Sequence, residues 1–365
     1  MDIITVLTCF SYSENKQYVF HPDYLRSDLR RLCDYCLNYV NCKYQNIYVL
    51  TDLVPNVGIQ DEIRFGFQTQ VENYLRRKGY LIPVIKNTSK YPLVWLKRCC
   101  QEIVKSKISW DKLYDKILRR ILPIIQSSNS VEFASLFMKF YLINSKNIYD
   151  TILKQAFEKV QKNSKLIFYY TGHGIRHYHS IDGRVVQKDI CLVIPTSGPN
   201  VEFYSRSELF QKFTQIMSRA CSFLVFDCCY ADSLMNLPFQ KGFDPSGQIY
   251  TEIHGSQIQS YDTICLTSTS NDQTCGFYAG PEECGSVFTY YLIQCLQKIA
   301  HRARSTNFSQ LYSEVEQKVS AYRILNNKTS QNMLIQLNKE NIWELPSWLF
   351  RKSPKSGRKR SKKRY

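Results

Sequence analysis

Two apolar, β-prone runs constrain this chain more than any other feature. Residues 165–170 (Lys-Leu-Ile-Phe-Tyr-Tyr) lead into Thr171-Gly172-His173-Gly174, and residues 222–226 (Ser-Phe-Leu-Val-Phe) lead into Asp227-Cys228-Cys229-Tyr230-Ala231-Asp232. Each run puts a reactive side chain just past a strand end, where an open α/β sheet presents its chemistry. A histidine and a cysteine placed in this way predict a cysteine-nucleophile hydrolase.

The segments around these runs alternate between strand and helix patterns. Residues 3–10 read as an opening strand, 24–40 as a helix and 46–50 as a short strand ending at Thr51-Asp52, which makes one βαβ unit. A second amphipathic helix is predicted over 61–77, and a short strand or extended run over 81–85. Residues 94–164 are strongly helical in their middle and too long for a single crossover, so they predict a helical insertion. The second half adds an extended run at 189–195, a helix at 207–218, a polar, glycine-bearing stretch at 238–260 and a strand at 263–268. Helices at 287–300 and 308–325 and an extended run at 333–337 complete it. The expectation is an α/β fold with a mostly parallel sheet flanked by helices. It would form one domain over 1–350, with the insertion at 94–164 inside it.

Composition fits this reading and narrows the setting. With 365 residues, 44% of them hydrophobic, the chain can bury a substantial core. Its 14 cysteines are scattered through helix-like and strand-like segments instead of stapling a small domain, so a reducing interior is expected. The first residues carry no basic leader, and no run offers the ~18 apolar residues of a membrane span. An intracellular protein, cytoplasmic or nuclear, with no membrane partner is therefore predicted. Net charge is +17, and nine of the Lys and Arg residues lie in the last 15 positions with no acid among them, leaving +8 for the other 350 residues. Residues 351–365 read as a disordered basic arm for a nuclear import receptor, nucleic acid or another acidic surface, or as a merely solubilising end.

The chemistry can be argued from the residues themselves. A thiol is only a few per cent thiolate at neutral pH, and a histidine within reach can take its proton and later protonate an amine leaving group. Cys229 and His173 could fill these roles. Gly172 and Gly174 permit a tight turn, so a peptide N–H at Gly174, with the N–H of Cys229, could stabilise a tetrahedral oxyanion. The plainer alternatives are a Gly-His-Gly that is only a turn and a strand-end cysteine that is an inert core residue. Strand alternation allows only one of Cys228 and Cys229 to meet His173, and adjacent cysteines make a poor disulfide. Periodicity does not choose between them.

Taken together, the motifs resemble the metacaspases and related caspase-like cysteine peptidases, in order along most of residues 1–340 outside the helical tract near 94–160. Tyr170-Thr171-Gly172-His173-Gly174 is similar to the family's Tyr-Ser-Gly-His-Gly, which implies His173 as the base. Asp227-Cys228-Cys229-Tyr230-Ala231-Asp232 is similar to Asp-Ser-Cys-His-Ser-Gly, which implies Cys229 as the nucleophile with Cys228 in the place of the serine. Leu50-Thr51-Asp52, the run Cys191-Leu192-Val193-Ile194-Pro195, the segment Leu266 to Cys275 and Gly285-Ser286-Val287-Phe288-Thr289 match further family segments in the right order. The departures are Tyr230, Ala231 and Asp232 where the family carries His, Ser and Gly, and Asn271 in place of an aspartate.

The resemblance also implies a substrate pocket made by Asp227 and Asp272. Carboxylates at the base of a pocket pair with guanidinium and repel aspartate, so polypeptide cleavage after Arg or Lys is expected, not after Asp. Calcium activation occurs in many relatives of this fold, but Asp182 and Asp189 are too sparse to name as ligands. The Cys33-x2-Cys36 pair with Cys42 lacks a complementary zinc-spaced partner and reads as core. His177 and His179 alternate in a polar loop and read as solvent-exposed. Two functions from different classes follow: an active endopeptidase, or a catalytically silent binding or assembly scaffold, such as a viral or parasite descendant of a peptidase.

Overall fold

A computed structural model describes residues 2–81, 92–103, 109–126, 129–181, 184–235, 237–243, 249–254, 261–269, 277–279, 284–302, 307–325, 333–340, 342 and 344–350. The predicted βαβ unit is formed by β1 (Ile3–Cys9), α1 (Pro22–Asp34) and β2 (Ile47–Thr51), with β1 and β2 parallel. The helix α2 (Val57–Arg77) starts earlier than its apolar spacing suggests because Asn56 caps it. The Asn56 Oδ1 accepts the Gly58 N–H at 2.9 Å and the Ile59 N–H at 3.4 Å, satisfying donors that a helix start otherwise leaves orphaned.

The long tract after α2 holds α3 (Pro92–Ile103), α4 (Trp110–Ile125) and α5 (Ser130–Phe137). It is not helical throughout. β3 (Lys139–Leu142) pairs in parallel with β2 at one edge of the main sheet. Its residues are only partly covered, so no buried alternation marks it in the sequence. Glu132 is 1% exposed; its Oε1 accepts from Arg26 Nη1 at 2.9 Å and from the Asn56 N–H at 3.0 Å, tying α5 to α1 and to the start of α2.

After α6 (Lys146–Glu158) comes β4 (Lys165–Thr171), the strand that leads to His173. β5 (Gly174–Ile181) and β6 (Arg184–Pro195) then form an antiparallel hairpin that β7 (Val201–Ser205) extends into a second sheet. The segment after His173, read as a polar loop, is thus paired backbone. α7 (Arg206–Met217) opens on a capping box between Ser205 and Glu208 and leads into β8 (Cys221–Asp227). The stretch 238–260, read as polar, contains the hairpin β9 (Phe239–Phe243) and β10 (Ile249–Ile253). The remaining elements are β11 (Thr263–Thr267), the short pair β12 (Phe277–Ala279) and β13 (Cys284–Ser286), α8 (Val287–Arg302), α9 (Phe308–Leu325) and β14 (Leu334–Leu337).

Among the described residues the main sheet runs β10-β9-β14-β11-β8-β4-β1-β2-β3. Every neighbouring pair from β11 to β3 is parallel, and β14, β9 and β10 are antiparallel additions at one side. The central strands feed two cores by strict alternation. Leu166, Phe168 and Tyr170 of β4 and Leu224 and Phe226 of β8 face α6, α7 and the second sheet. Ile167 and Tyr169, with Phe223 and Val225, face α1, α8 and the other helices. Phe168 and Phe226 are fully buried, each contributing about 2–3 kcal/mol of apolar transfer. A one-residue slip would exchange the two sets, so the register that places the strand ends is strongly specified.

Thirteen cysteines are described and all are free thiols. Cys33, Cys36 and Cys42 are buried in the core around α1. Among the described residues no group of three or more metal-ligating side chains converges, and no helix is long and apolar enough to cross a membrane. The tail 351–365, Asp182, Asp272 and most of the run 81–85 lie outside the described residues.

Candidate active site

β4 and β8 are adjacent and parallel, with Thr171 opposite Asp227 at their C-terminal ends. The segments that follow, carrying His173 and Cys229, therefore leave the sheet side by side. The Gly172 N–H donates to the Asp227 carbonyl at 3.4 Å. A Cβ on Gly174 would collide with the Cys229 carbonyl oxygen and lie 3.1 Å from the Cys228 sulfur. Only a glycine lets the two strand-end segments approach so closely.

His173 is held from every side. Its ring stacks on Phe20 at 4.1 Å between centroids and 13° between planes, with Tyr12 at 5.0 Å and Tyr18 at 5.2 Å. Its backbone N–H donates to the Tyr12 hydroxyl at 2.9 Å, and its carbonyl accepts from the Tyr170 hydroxyl at 2.9 Å and the Val193 N–H at 3.0 Å. The ring Nε2 lies 2.7 Å from the Tyr18 carbonyl oxygen. A carbonyl can only accept, so in this contact Nε2 carries the proton, and in the neutral ring Nδ1 keeps the lone pair. Burial lowers the pKa of His173 from its ordinary value, and the Tyr18 carbonyl offsets this in part. The neutral, proton-accepting ring is thereby favoured.

The two cysteines sit in different surroundings. Cys228 continues the even-numbered series of β8 into the core and is fully buried. Burial pushes its thiol pKa well up, with the nearby Cys229 and Asp227 adding to the shift. Cys229 is half-buried. The Cys228 carbonyl accepts from the Thr269 hydroxyl at 2.9 Å, and that hydroxyl accepts the Ala231 N–H at 3.2 Å, fixing the path of the chain on either side of Cys229. Tyr230 adopts the left-handed conformation, φ 56° and ψ 27°, and its ring carries the Arg176 guanidinium at 4.8 Å.

Asp227 falls on the opposite face from Cys228 and is 1% exposed. Its Oδ2 accepts from the Tyr169 hydroxyl at 3.3 Å and the Thr289 hydroxyl at 2.5 Å. Asp28 on α1 is a second buried carboxylate in the same region. It accepts from Arg31 at 3.0 Å and from the Ser286 N–H at 2.9 Å. Burial raises its pKa to about 8; Arg31 and the Ser286 N–H act against that rise, while the charge of Asp227 adds to it. Gly285, at φ +118°, makes room for this arrangement, since a Cβ there would collide with the Asp28 carboxylate.

Sequence reasoning missed Asp28, although a signal was present: it lies with Leu25, Leu29 and Leu32 on the buried stripe of α1, where a carboxylate needs a partner. Tyr12, Tyr18 and Phe20 were also missed, because the loop after β1 has no periodicity to read. His177 pairs across the β5–β6 ladder with Asp189, and its ring lies 5.0 Å from that of Phe203.

Two parallel strands that end in a caged histidine and a half-buried cysteine define a caspase-like α/β architecture. The family model of the caspase domain (peptidase C14) matches residues 133–342, more than half of the sequence, and the chain belongs to this family. The match spans β3 to β14 and includes the strand-end segments that carry His173 and Cys229. No curated protein matches the sequence. Two solved structures are similar at 10% identity. Protein GSU0716 from Geobacter sulfurreducens has a TM-score of 0.38, covering 60% of this chain and 83% of that one. The structure of pro-sf-caspase-1 has a TM-score of 0.36, covering 92% and 86%.

Proposed function

We propose that the chain is a metacaspase-like cysteine endopeptidase that cleaves polypeptides after Arg or Lys through an acyl-enzyme at Cys229. The observation that carries this reading is the juxtaposition of the two strand ends, Gly174 packed against the Cys229 carbonyl. His173 Nδ1 takes the proton of the Cys229 thiol, and the thiolate adds to the scissile carbonyl. The resulting oxyanion is stabilised by the N–H groups of Gly174 and Cys229. As the C–N bond breaks, the imidazolium returns its proton to the amine. His173 then deprotonates the water that hydrolyses the thioester. Asp227, with Asp272 from the family resemblance, supplies negative charge for a basic side chain.

A peptide electrophile with Arg beside its reactive group should modify Cys229 and spare Cys228, read by peptide mapping. Cys228 is buried and its thiol is pushed towards the unreactive protonated form. Modification chiefly at Cys228 would reverse the nucleophile assignment.

The pH profile offers a second check. A base with a depressed pKa is neutral at lower pH than a free imidazole, so activity rises with pH through the folded value. The acid limb of kcat/KM should therefore turn on below the ordinary 6.5. It should move if Phe20→Ala opens the cage to water. An acid limb above 6.5 would remove His173 as the base.

The scaffold reading is favoured by one observation: Tyr230, directly after Cys229 and in place of a smaller histidine, lies against Arg176. Failure of the Arg electrophile to label any cysteine, together with absent hydrolysis, would give that reading precedence.

A further inference from the structure

A groove opens between the C-terminal halves of α2 and α4, away from the strand-end site. Its volume is about 770 Å³, and five cations line it: Arg77 and Lys78 from the end of α2, and Lys116, Arg119 and Arg120 from α4. No carboxylate is among its described lining residues. All five cations are exposed, and none forms an ion pair among the described residues. Arg26, Arg31, Arg64, Lys146 and Lys298, by contrast, are each held by a carboxylate.

The helix pattern explains the convergence. Lys116, Arg119 and Arg120 stand at i, i+3 and i+4 and share one face of α4, while Leu113, Ile117, Ile121 and Leu122 are buried. Asp115 lines the neighbouring groove, beside Tyr114 and Leu118, and of the five cations Arg119 reaches that groove as well. Basic residues in a last turn commonly offset the helix dipole, but each helix end carries only about half a charge. Arg77 lies in the last turn of α2, whereas α4 has no basic residue in its last turn, so the dipoles offset only about half a charge and leave most of the five uncompensated.

We propose that this groove binds the phosphate backbone of a nucleic acid. Three of the five cations are arginines, whose planar fork matches phosphate oxygens, and Gln70 and Asn73 add neutral donors at the rim. A folded protein partner would need an apolar anchor hole. Tyr74 and Ile121 lie buried beneath the groove, and Ile124 is an exposed apolar side chain at its end, not a hole. Recognition must therefore run through charge, which a phosphodiester chain carries at every residue. Among the described lining residues no exposed aromatic ring is available for stacking on bases, so binding is to the backbone, insensitive to sequence and steeply dependent on salt. The net charge of +17 draws such a polyanion in from a distance.

The test uses the full-length protein and a fluorescent 20-base-pair duplex, with anisotropy titrations across a salt series. Lys116→Gln/Arg119→Gln/Arg120→Gln should flatten the slope of log affinity against log salt by about 2.7, at about 0.9 per lost phosphate contact. Affinity at 0.1 M salt should fall roughly 100-fold. Arg77→Gln/Lys78→Gln, on the other wall, should flatten the slope by about 1.8 and gives the readout if the α4 variant fails to fold. The tail is common to all variants and cancels in the comparison. Lys154→Gln/Lys159→Gln/Lys162→Gln removes three exposed cations at and beyond α6, on the opposite side of the sheet, and should change the slope by less than one. Unchanged slopes in both groove variants, or an equal loss in the α6 control, would overturn the proposal. Competition by a poly-glutamate peptide as effective as DNA at equal charge would reassign the groove to an acidic protein segment.

Discussion

Cys229→Ala should abolish hydrolysis of an Arg-containing peptide, a loss on the order of 10⁴-fold or more, while the unfolding midpoint stays close to that of the wild type. The change removes the sulfur that forms the acyl bond and leaves Thr269 holding the Cys228 carbonyl and the Ala231 N–H, so the loop keeps its supports. His173→Ala should cost about 10²–10⁴-fold, because the thiol then loses its proton acceptor while the nucleophile remains. Steady-state cleavage by purified protein, with and without calcium and before and after controlled nicking, is the measurement. Wild-type-like turnover by Cys229→Ala would end the proposed mechanism. An equal loss in Cys228→Ala, with folding intact, would move the nucleophile by one residue.

Peptides with Arg at the cleavage position should be preferred over matched Asp peptides by about 10³-fold in kcat/KM, since a site that pairs a charge rejects one of the opposite sign. Asp227 places a carboxylate under the end of β8, and an aspartate side chain bound there would set a second carboxylate beside it. Asp227→Asn keeps the shape and an oxygen that can accept from Tyr169 and Thr289, so the protein should fold. The Arg-to-Asp ratio should nonetheless shrink, because a carbonyl dipole replaces a full charge. Equal rates on the two peptides, or a preference for Asp, would refute the basic-residue specificity while leaving the thiol chemistry untouched.

Much of the architecture was legible in the primary structure because its physics is local. The apolar runs of β4 and β8 are buried on both faces, the apolar stripes of α1, α8 and α9 show helical spacing, and the His173 and Cys229 motifs each follow their strand directly. The elements that escaped are held by backbone pairing with partners distant in sequence. β3 is a partly covered edge strand recruited by β2, and β9 and β10 line up beside β14 although their residues suggest a polar stretch. A hairpin that follows His173 looks like a loop because its ladder bonds carry no side-chain signature.

The candidate site divides in the same way. Composition and order along the chain alone led to His173 and to the adjacent cysteines, since strand-end motifs are contiguous. They left Cys228 and Cys229 equivalent, because alternation says that the two differ but not which face is covered. Packing decided that: α7 and the second sheet cover the face on which Cys228 lies, and Cys229 is left half-buried. Tertiary structure alone also brought Tyr12, Tyr18 and Phe20 around the imidazole, turned its Nε2 to a carbonyl, and set Asp28 near Asp227. These are contacts across more than about 150 residues for the histidine cage, and no local propensity can encode a distance that only the closed sheet creates.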